Sequence, residues 1–474
     1  MQKITGILEK TLFYLVLFLF VFIPLYPKFP LFNVTGTFVA VRIEDIFIGL
    51  TVSLWAVYLV ISNQLRIFLK DKLSLAILLF FFIGVVSTFS AVFLTHTVFA
   101  HISILHFLRR VEFIILLPLI ATVVKTKKQF IIILIFLGLT VLAVNLYALG
   151  QQYLDWPVIS TTNSEFSKGL ILRLTPGARV NSTFAGHYDL AVFLAMTIVI
   201  LVSLFFSVSK KMKIPLLLLG GLSFLVLMMT AARLSFAALL IGILSVLVLT
   251  KKTKYILIIL IFMAAVLIYP SQLRDRFIST ITVNIFKQGQ RYEGKTVDQQ
   301  VRSKLNIPTL AIKTSSMSAS TSAFASSSGN IATDITPGEP INTTELGVYR
   351  SFQIRLQIEW PRAILAFFKN PFLGTGYSSI DIATDNDFLR SLGETGILGT
   401  AAFALIIIAV WKKIFNVFKS NSRLIRFFSA GVLSMLIAFI VNGLFIDVFE
   451  ASKVASLFWM MLGLNLAVLS FKDK

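Results

Sequence analysis

The sequence predicts an all-α polytopic membrane protein with about twelve transmembrane helices, both termini cytoplasmic, and one long external loop carrying amphipathic helices. Three observations lead there. First, 57% of the 474 residues are hydrophobic and only 14% are charged, with 45 Phe. A water-soluble domain of this length cannot bury so much apolar side chain, so the solvent must be lipid. Second, the apolar residues fall in runs of about 17–25, the length of a helix that crosses the hydrocarbon core. Third, Lys and Arg concentrate on alternate loops.

The runs lie near 11–27, 45–62, 73–93, 105–124, 129–150, 187–208, 215–232, 234–250, 255–270, 396–411, 427–446 and 454–471. The first has no small-residue cleavage site and eleven others follow, so it reads as an anchor and not a removable signal. With the N-terminus inside, 21 of the 43 Lys and Arg fall on inner segments. Only Glu9, Asp71 and Asp473 oppose them, which gives the inner side about +18 and the rest of the chain about +3, as the positive-inside rule requires. The formal charge of +21 is therefore topological, and no nucleic-acid partner is implied. The absence of Cys excludes disulfides, cysteine-ligated zinc and thiol catalysis.

Three regions result. Residues 1–270 hold nine spans, with an external segment at 151–186. Residues 271–385 form the long external loop, which exceeds any simple connection. Residues 386–474 hold a polar motif helix and the last three spans. Within the loop, the Ser/Thr/Ala-rich stretch near 314–340 reads as a flexible insert. After it, Arg355, Glu359 and Arg362 recur at helical spacing, which predicts an amphipathic helix on the outer surface, interrupted or restarted at Pro361.

The polar residues that break the apolar pattern are the candidates for chemistry. Residues 370–399 read N-P-F-L-G-T-G-Y-S-S-I-D-I-A-T-D-N-D-F-L-R-S-L-G-E-T-G-I-L-G. Pro371, Gly374 and Gly376 predict a turn-rich approach. Asp385 is expected to cap a helix, with Asn386 and Asp387 at its electropositive start. Asn386, Arg390 and Glu394 then share one helical face. Gly393, Gly396 and Gly399 make a ridge that admits a neighbouring helix. A solvated helix start with an ion pair between Arg390 and Glu394 is the plainer alternative.

Elsewhere, Arg233 lies between two apolar runs with almost no polar cover, where Arg at bilayer depth costs roughly 2.5–3.5 kcal/mol. It is either a snorkelling hairpin tip or an anion clamp. His187 and Asp189 open the sixth span in R-V-N-S-T-F-A-G-H-Y-D-L, which begins at Arg179. Arg109, Arg110 and Glu112, beside His101 and His106, form a weaker outer-edge cluster. Arg179, Arg233, Arg355 and Arg390 come from separate segments yet share the outer face, and guanidinium groups grip pyrophosphate oxygens bidentately.

N-P-x-x-G-x-G followed by D-N-x-F-L-x-x-x-x-E-T-G-x-x-G resembles the O-antigen ligase and polymerase family of bacterial envelope glycan assembly. T-x-x-R at Arg233, Arg355 with Trp360 at R-x-x-x-x-W, and the segment from Arg179 to Asp189 are similar to further family patterns, with Asp189 where Asn is common. The resemblance implies a multi-pass enzyme of the bacterial cytoplasmic (inner) membrane, active on its external, periplasmic side. It implies metal-independent, cofactor-free glycosyl transfer with inversion. Arg side chains would hold an undecaprenyl-pyrophosphate-linked glycan donor while a base deprotonates a glycan or lipid acceptor. Motifs and resemblance together give Asp385, His187 and Glu394 as catalytic, and Arg179, Asp189, Arg233, Arg355, Asn386 and Arg390 as substrate-binding. The bilayer and envelope-assembly proteins complete the expected partners.

The family's ligases carry His where Asp385 stands, and this departure favours a polymerase over a ligase. A flippase or secondary transporter for lipid-linked sugars or solutes is the alternative. Against it, no ionisable residue is expected near the middle of a span, Glu112 and Asp189 being placed towards outer ends. A peptidoglycan-type polymerase fits the motifs less well.

Overall fold

In hydrocarbon every backbone N–H and C=O needs a partner within the protein, and a helix supplies them all along one segment. The apolar runs accordingly become helices. The computed structural model describes residues 2–34, 37, 40–161, 168–174, 178–282, 351–380, 383–417, 422–469 and 471. The insert expected near 314–340 lies outside the described residues.

The helices are α1 (Gln2–Leu25), α2 (Ile43–Ile61), α3 (Leu65–Lys70), α4 (Lys72–Phe89), α5 (Ala100–Val123), α6 (Lys127–Tyr153), α7 (His187–Phe205), α8 (Lys210–Met229), α9 (Arg233–Leu249), α10 (Ile256–Ile268) and α11 (Gln272–Thr282). After the long loop come α12 (Trp360–Lys369), led in by a π turn at Arg355–Glu359, then α13 (Asp387–Val417), α14 (Arg423–Gly443) and α15 (Ser452–Val468). Two short antiparallel ribbons join the helical plan: β1 (Pro30–Phe32) with β2 (Val41–Arg42), and β3 (Val158–Ile159) with β4 (Ile171–Leu172).

Each of the twelve expected runs falls on a helix, and among the described residues eight helices are long and apolar enough to cross a membrane. Arg233–Leu249 and Ser452–Val468 are apolar but shorter, and α5 carries Arg109, Arg110 and Glu112. The segments Thr253–Ile268 and Gln272–Ile281 meet at 94°, a bent pair that makes a ninth span if counted as one.

The core gathers on α15, whose residues are all buried. It packs mainly on α5, while α14 lies against α7 and α9, and α13 against α4. Lipid tails are as apolar as Leu, so this packing is held by fit and dispersion more than by exclusion of water. Phe439 stacks on Phe458 with ring centroids 4.0 Å apart, and Phe449 meets Phe439 edge-on at 4.9 Å. Phe449 thereby pins the short loop between α14 and α15, which carries Asp447 and Glu450. Between loops of the Lys-rich end, Lys125 Nζ meets Glu9 Oε1 at 2.7 Å and Lys413 Nζ meets Asp71 Oδ1 at 2.6 Å.

The expected glycine ridge is corrected. Helix α13 breaks at Gly396 (φ 65°, ψ −167°), so Gly393 and Gly399 do not continue one helical face. The loop at 371–376 fills the break. Thr375 N–H donates to Gly393 C=O and Gly376 N–H to Glu394 C=O, both at 2.9 Å. In return, Ile397 N–H reaches Pro371 C=O at 2.8 Å and Leu398 N–H reaches Phe372 C=O at 3.2 Å. Backbone groups orphaned by the break are thus satisfied by main chain from N-P-x-x-G-x-G. Gly374 (φ 71°) and Gly376 (φ 94°) allow that close approach.

Candidate active site at the polar end of the bundle

The turn before α13 sets the geometry. Asn386, and not Asp385, is the N-cap: its Oδ1 accepts from Phe388 N–H at 3.1 Å and Leu389 N–H at 2.9 Å. Asp385 is turned away because it adopts φ 49°. Three successive N–H groups point instead at Asp447: Thr384 at 2.7 Å, Asp385 at 3.2 Å and Asn386 at 3.1 Å. Asp387 returns the contact, accepting from Val448 N–H at 2.9 Å and Phe449 N–H at 3.3 Å. The motif turn and the loop between α14 and α15 therefore clamp each other. Asn386 Nδ2 donates to Leu444 C=O at 3.0 Å, so this residue serves the scaffold.

Freed from capping, the Asp385 carboxylate pairs with Arg355 (Nη2 to Oδ2, 2.6 Å). Burial pushes the Asp385 pKa up and Asp447 adds to that, while Arg355 opposes it. Arg390 and Glu394 are buried, which corrects the solvated-helix alternative. Arg390 lies 3.8 Å from Asp447 and 3.6 Å from Glu450. Glu394 Oε1 accepts from Ser378 N–H at 3.1 Å.

A cavity of about 900 Å³ opens at this end, and its wall includes Lys28, His106, Arg109, His187, Asp189, Asp385, Arg390, Asp447 and Glu450. Of the residues expected from sequence, the structure thus brings His187, Asp189, Asp385 and Arg390 to one space. Arg179 donates from Nη1 to His187 Nε2 at 2.6 Å, which occupies that ring nitrogen. The Tyr188 phenol lies within electrostatic reach of Arg179, Arg276, Arg355 and Arg233. Three of the four expected arginines thus lie around Tyr188, which lines the cavity, and Arg390 lines the cavity itself. Arg233 donates to Arg276 C=O at 3.1 Å and to the Thr280 hydroxyl, so α11 covers it. Glu394 lines a second pocket of about 200 Å³, mostly apolar, together with Arg110, Tyr377 and Asp387.

The weaker cluster divides. Arg109 borders the large cavity and reaches Asp45 at 3.5 Å, whereas Arg110 bonds Phe449 C=O at 2.9 Å and pairs with Glu450. Glu112 lies midway along Ala100–Val123, correcting its outer-end placement, because the helix starts ahead of the apolar run. Asp189 lies in the first turn of α7.

Sequence reasoning missed Lys28, Tyr188, Arg276, Asp447 and Glu450. Lys28 is buried, and its pKa falls to about 8, chiefly through burial and then Arg42, with Asp189 and Glu44 opposing. No sequence signal singled out Lys28 or Arg276, since 22 of the 43 Lys and Arg lie outside the inner segments. Residues 218–404 match the family model described as O-antigen ligase, a stretch that holds Arg233, Arg355, Asp385, Arg390 and Glu394. No curated protein matches the chain.

Proposed function

The chain belongs, through residues 218–404, to the O-antigen ligase family, and from that premise we propose a glycosyltransferase that extends a surface polysaccharide. It moves an oligosaccharide from a lipid pyrophosphate to an acceptor hydroxyl at the outer face of the bacterial cytoplasmic membrane. The observation that carries this reading is the cavity of about 900 Å³ flanked by the arginines around Tyr188. With the Lys-rich loops inside, as the positive-inside rule requires, this cavity faces outward.

Arg179, Arg233, Arg276 and Arg355 supply positive charge for the pyrophosphate dianion, and low dielectric strengthens the attraction. The acceptor oxygen, losing its proton to a base, attacks the anomeric carbon. The bond from that carbon to the pyrophosphate oxygen breaks, and its electron pair leaves with the lipid pyrophosphate. Attack opposite the leaving group inverts the anomeric centre. The guanidinium groups neutralise the departing charge without a metal. Asp385 in place of His favours the polymerase over the ligase.

A transporter or flippase draws support from Glu112, an acid midway along α5. The experiment is reconstitution of the whole chain in vesicles with an undecaprenyl-pyrophosphate-linked repeat unit. A ladder of extended lipid-linked products is expected. A single transfer to a different lipid acceptor makes the protein a ligase. Movement of the lipid between leaflets with no new glycosidic bond makes it a flippase.

A further inference from the structure

The π turn ahead of α12 leaves polar atoms unused. Among the described residues, Arg355 Nε, Glu359 Oε2 and Trp360 Nε1 are buried without a hydrogen-bond partner. An i to i+5 turn brings residues i, i+4 and i+5 to one side, so the three share a face, and such turns recur at functional sites. Buried donors and acceptors are rarely left open, and three on one face call for a ligand that completes them.

The same turn binds Asp385. Arg355 Nη2 holds the Asp385 carboxylate at 2.6 Å, and Arg355 Nη1 bonds the Ser351 hydroxyl. A carboxylate gripped by a guanidinium that never deprotonates is a weakened proton acceptor. Glu359, one turn further on, keeps Oε2 open. We propose that Glu359, and not Asp385, is the general base, with Trp360 Nε1 and Arg355 Nε donating to oxygens of the acceptor sugar and Asp385 positioning Arg355. This assignment rests on the glycosyl-transfer reading and names its acceptor side as a hydroxyl-bearing sugar.

The charged groups facing Glu359 are Arg355 and Arg362 on its own segment, Asp385 before α13, and Asp447 from the loop between α14 and α15. Burial and then Asp385 push its pKa up to about 7, against the pull of Arg355. A base so poised accepts a proton efficiently near neutral pH. In the step, Glu359 takes the proton of the sugar O–H and the oxygen bonds to the anomeric carbon. The bond to pyrophosphate breaks with its electron pair, and Glu359 later releases the proton to water.

The test uses the full chain in vesicles with the lipid-pyrophosphate-linked repeat unit, comparing wild type, Glu359→Gln and Asp385→Asn across the neutral pH range. Wild-type kcat is expected to rise through an acid limb near 7. Glu359→Gln should lower kcat by about 10²–10⁴-fold and abolish the limb, with donor KM unchanged. Asp385→Asn should keep the limb. An active Glu359→Gln variant with the limb intact, or a limb that vanishes only with Asp385→Asn, overturns the assignment. Infrared difference spectra of wild type against Glu359→Gln, taken without substrate, should show a protonated carboxyl band fading through the same pH, and its absence also overturns the base. A wild type that forms no glycosidic bond removes the glycosyl-transfer reading itself, whereas an active wild type with an unimpaired Glu359→Gln removes the base alone.

Discussion

Lys28 stands in a loop with no motif around it, yet it lines the cavity beside Asp189. Its pKa of about 8 makes it a pH-dependent anion site. Below that value it is charged and attracts pyrophosphate, and the attraction is lost as pH rises through 8. Binding of the lipid-linked donor, measured by isothermal titration, should therefore weaken from neutral pH upward, and Lys28→Gln should flatten the profile. Stability runs the other way. An unfolded Lys keeps its proton to about 10.4, so above pH 8 the unfolded chain binds more protons and thermal unfolding in detergent should shift upward with pH. Cavity-lining residues were legible where they broke an apolar pattern, as with His187 and Asp189. Lys28 and Asp447 were not legible, because their meaning depends on neighbours far along the chain, Asp189 for the one and Thr384 to Asn386 for the other. The exchange of roles between Asp385 and Asn386 was equally hidden, since either side chain can cap and only the φ of 49° at Asp385 decides between them.

At the scale of the element, α13 is two half-helices joined at Gly396. The spacing G-x-x-G-x-x-G matches a helical ridge, and no local propensity separates a ridge from a break. Only the long-range pairing with the 371–376 loop does. Gly396→Ala should cost on the order of 1–3 kcal/mol for the backbone conformation alone, and its Cβ would also strike the Phe372 carbonyl. A lower thermal midpoint with reduced turnover is expected. Gly220→Ala, where nothing lies within 4 Å of the added atom, should match or slightly exceed wild-type stability. Equal midpoints for the two variants would mean that Gly396 carries no such strain.

For the whole molecule, the helices were legible because lipid forces each apolar run to satisfy its own backbone, and all twelve runs are helical. How many cross the membrane is less legible: Arg233–Leu249 and Ser452–Val468 are short, and α5 carries Arg109, Arg110 and Glu112 near its middle. Orientation is open to direct measurement, since the chain has no Cys to interfere. In right-side-out vesicles, Asp155→Cys should react with a membrane-impermeant maleimide, and Lys211→Cys should react only after permeabilisation. The opposite pattern would reverse the bundle and turn the cavity towards the cytoplasm.

The main-chain stitching at Gly396 bears on how the enzyme tolerates its surroundings. When bilayer thickness changes, long helices respond by tilting. In α13 the lower segment can lean while the segment bearing Arg390 stays moored to the 371–376 loop and the clamp at Asp447. The register of the candidate site is thereby insulated from acyl-chain composition.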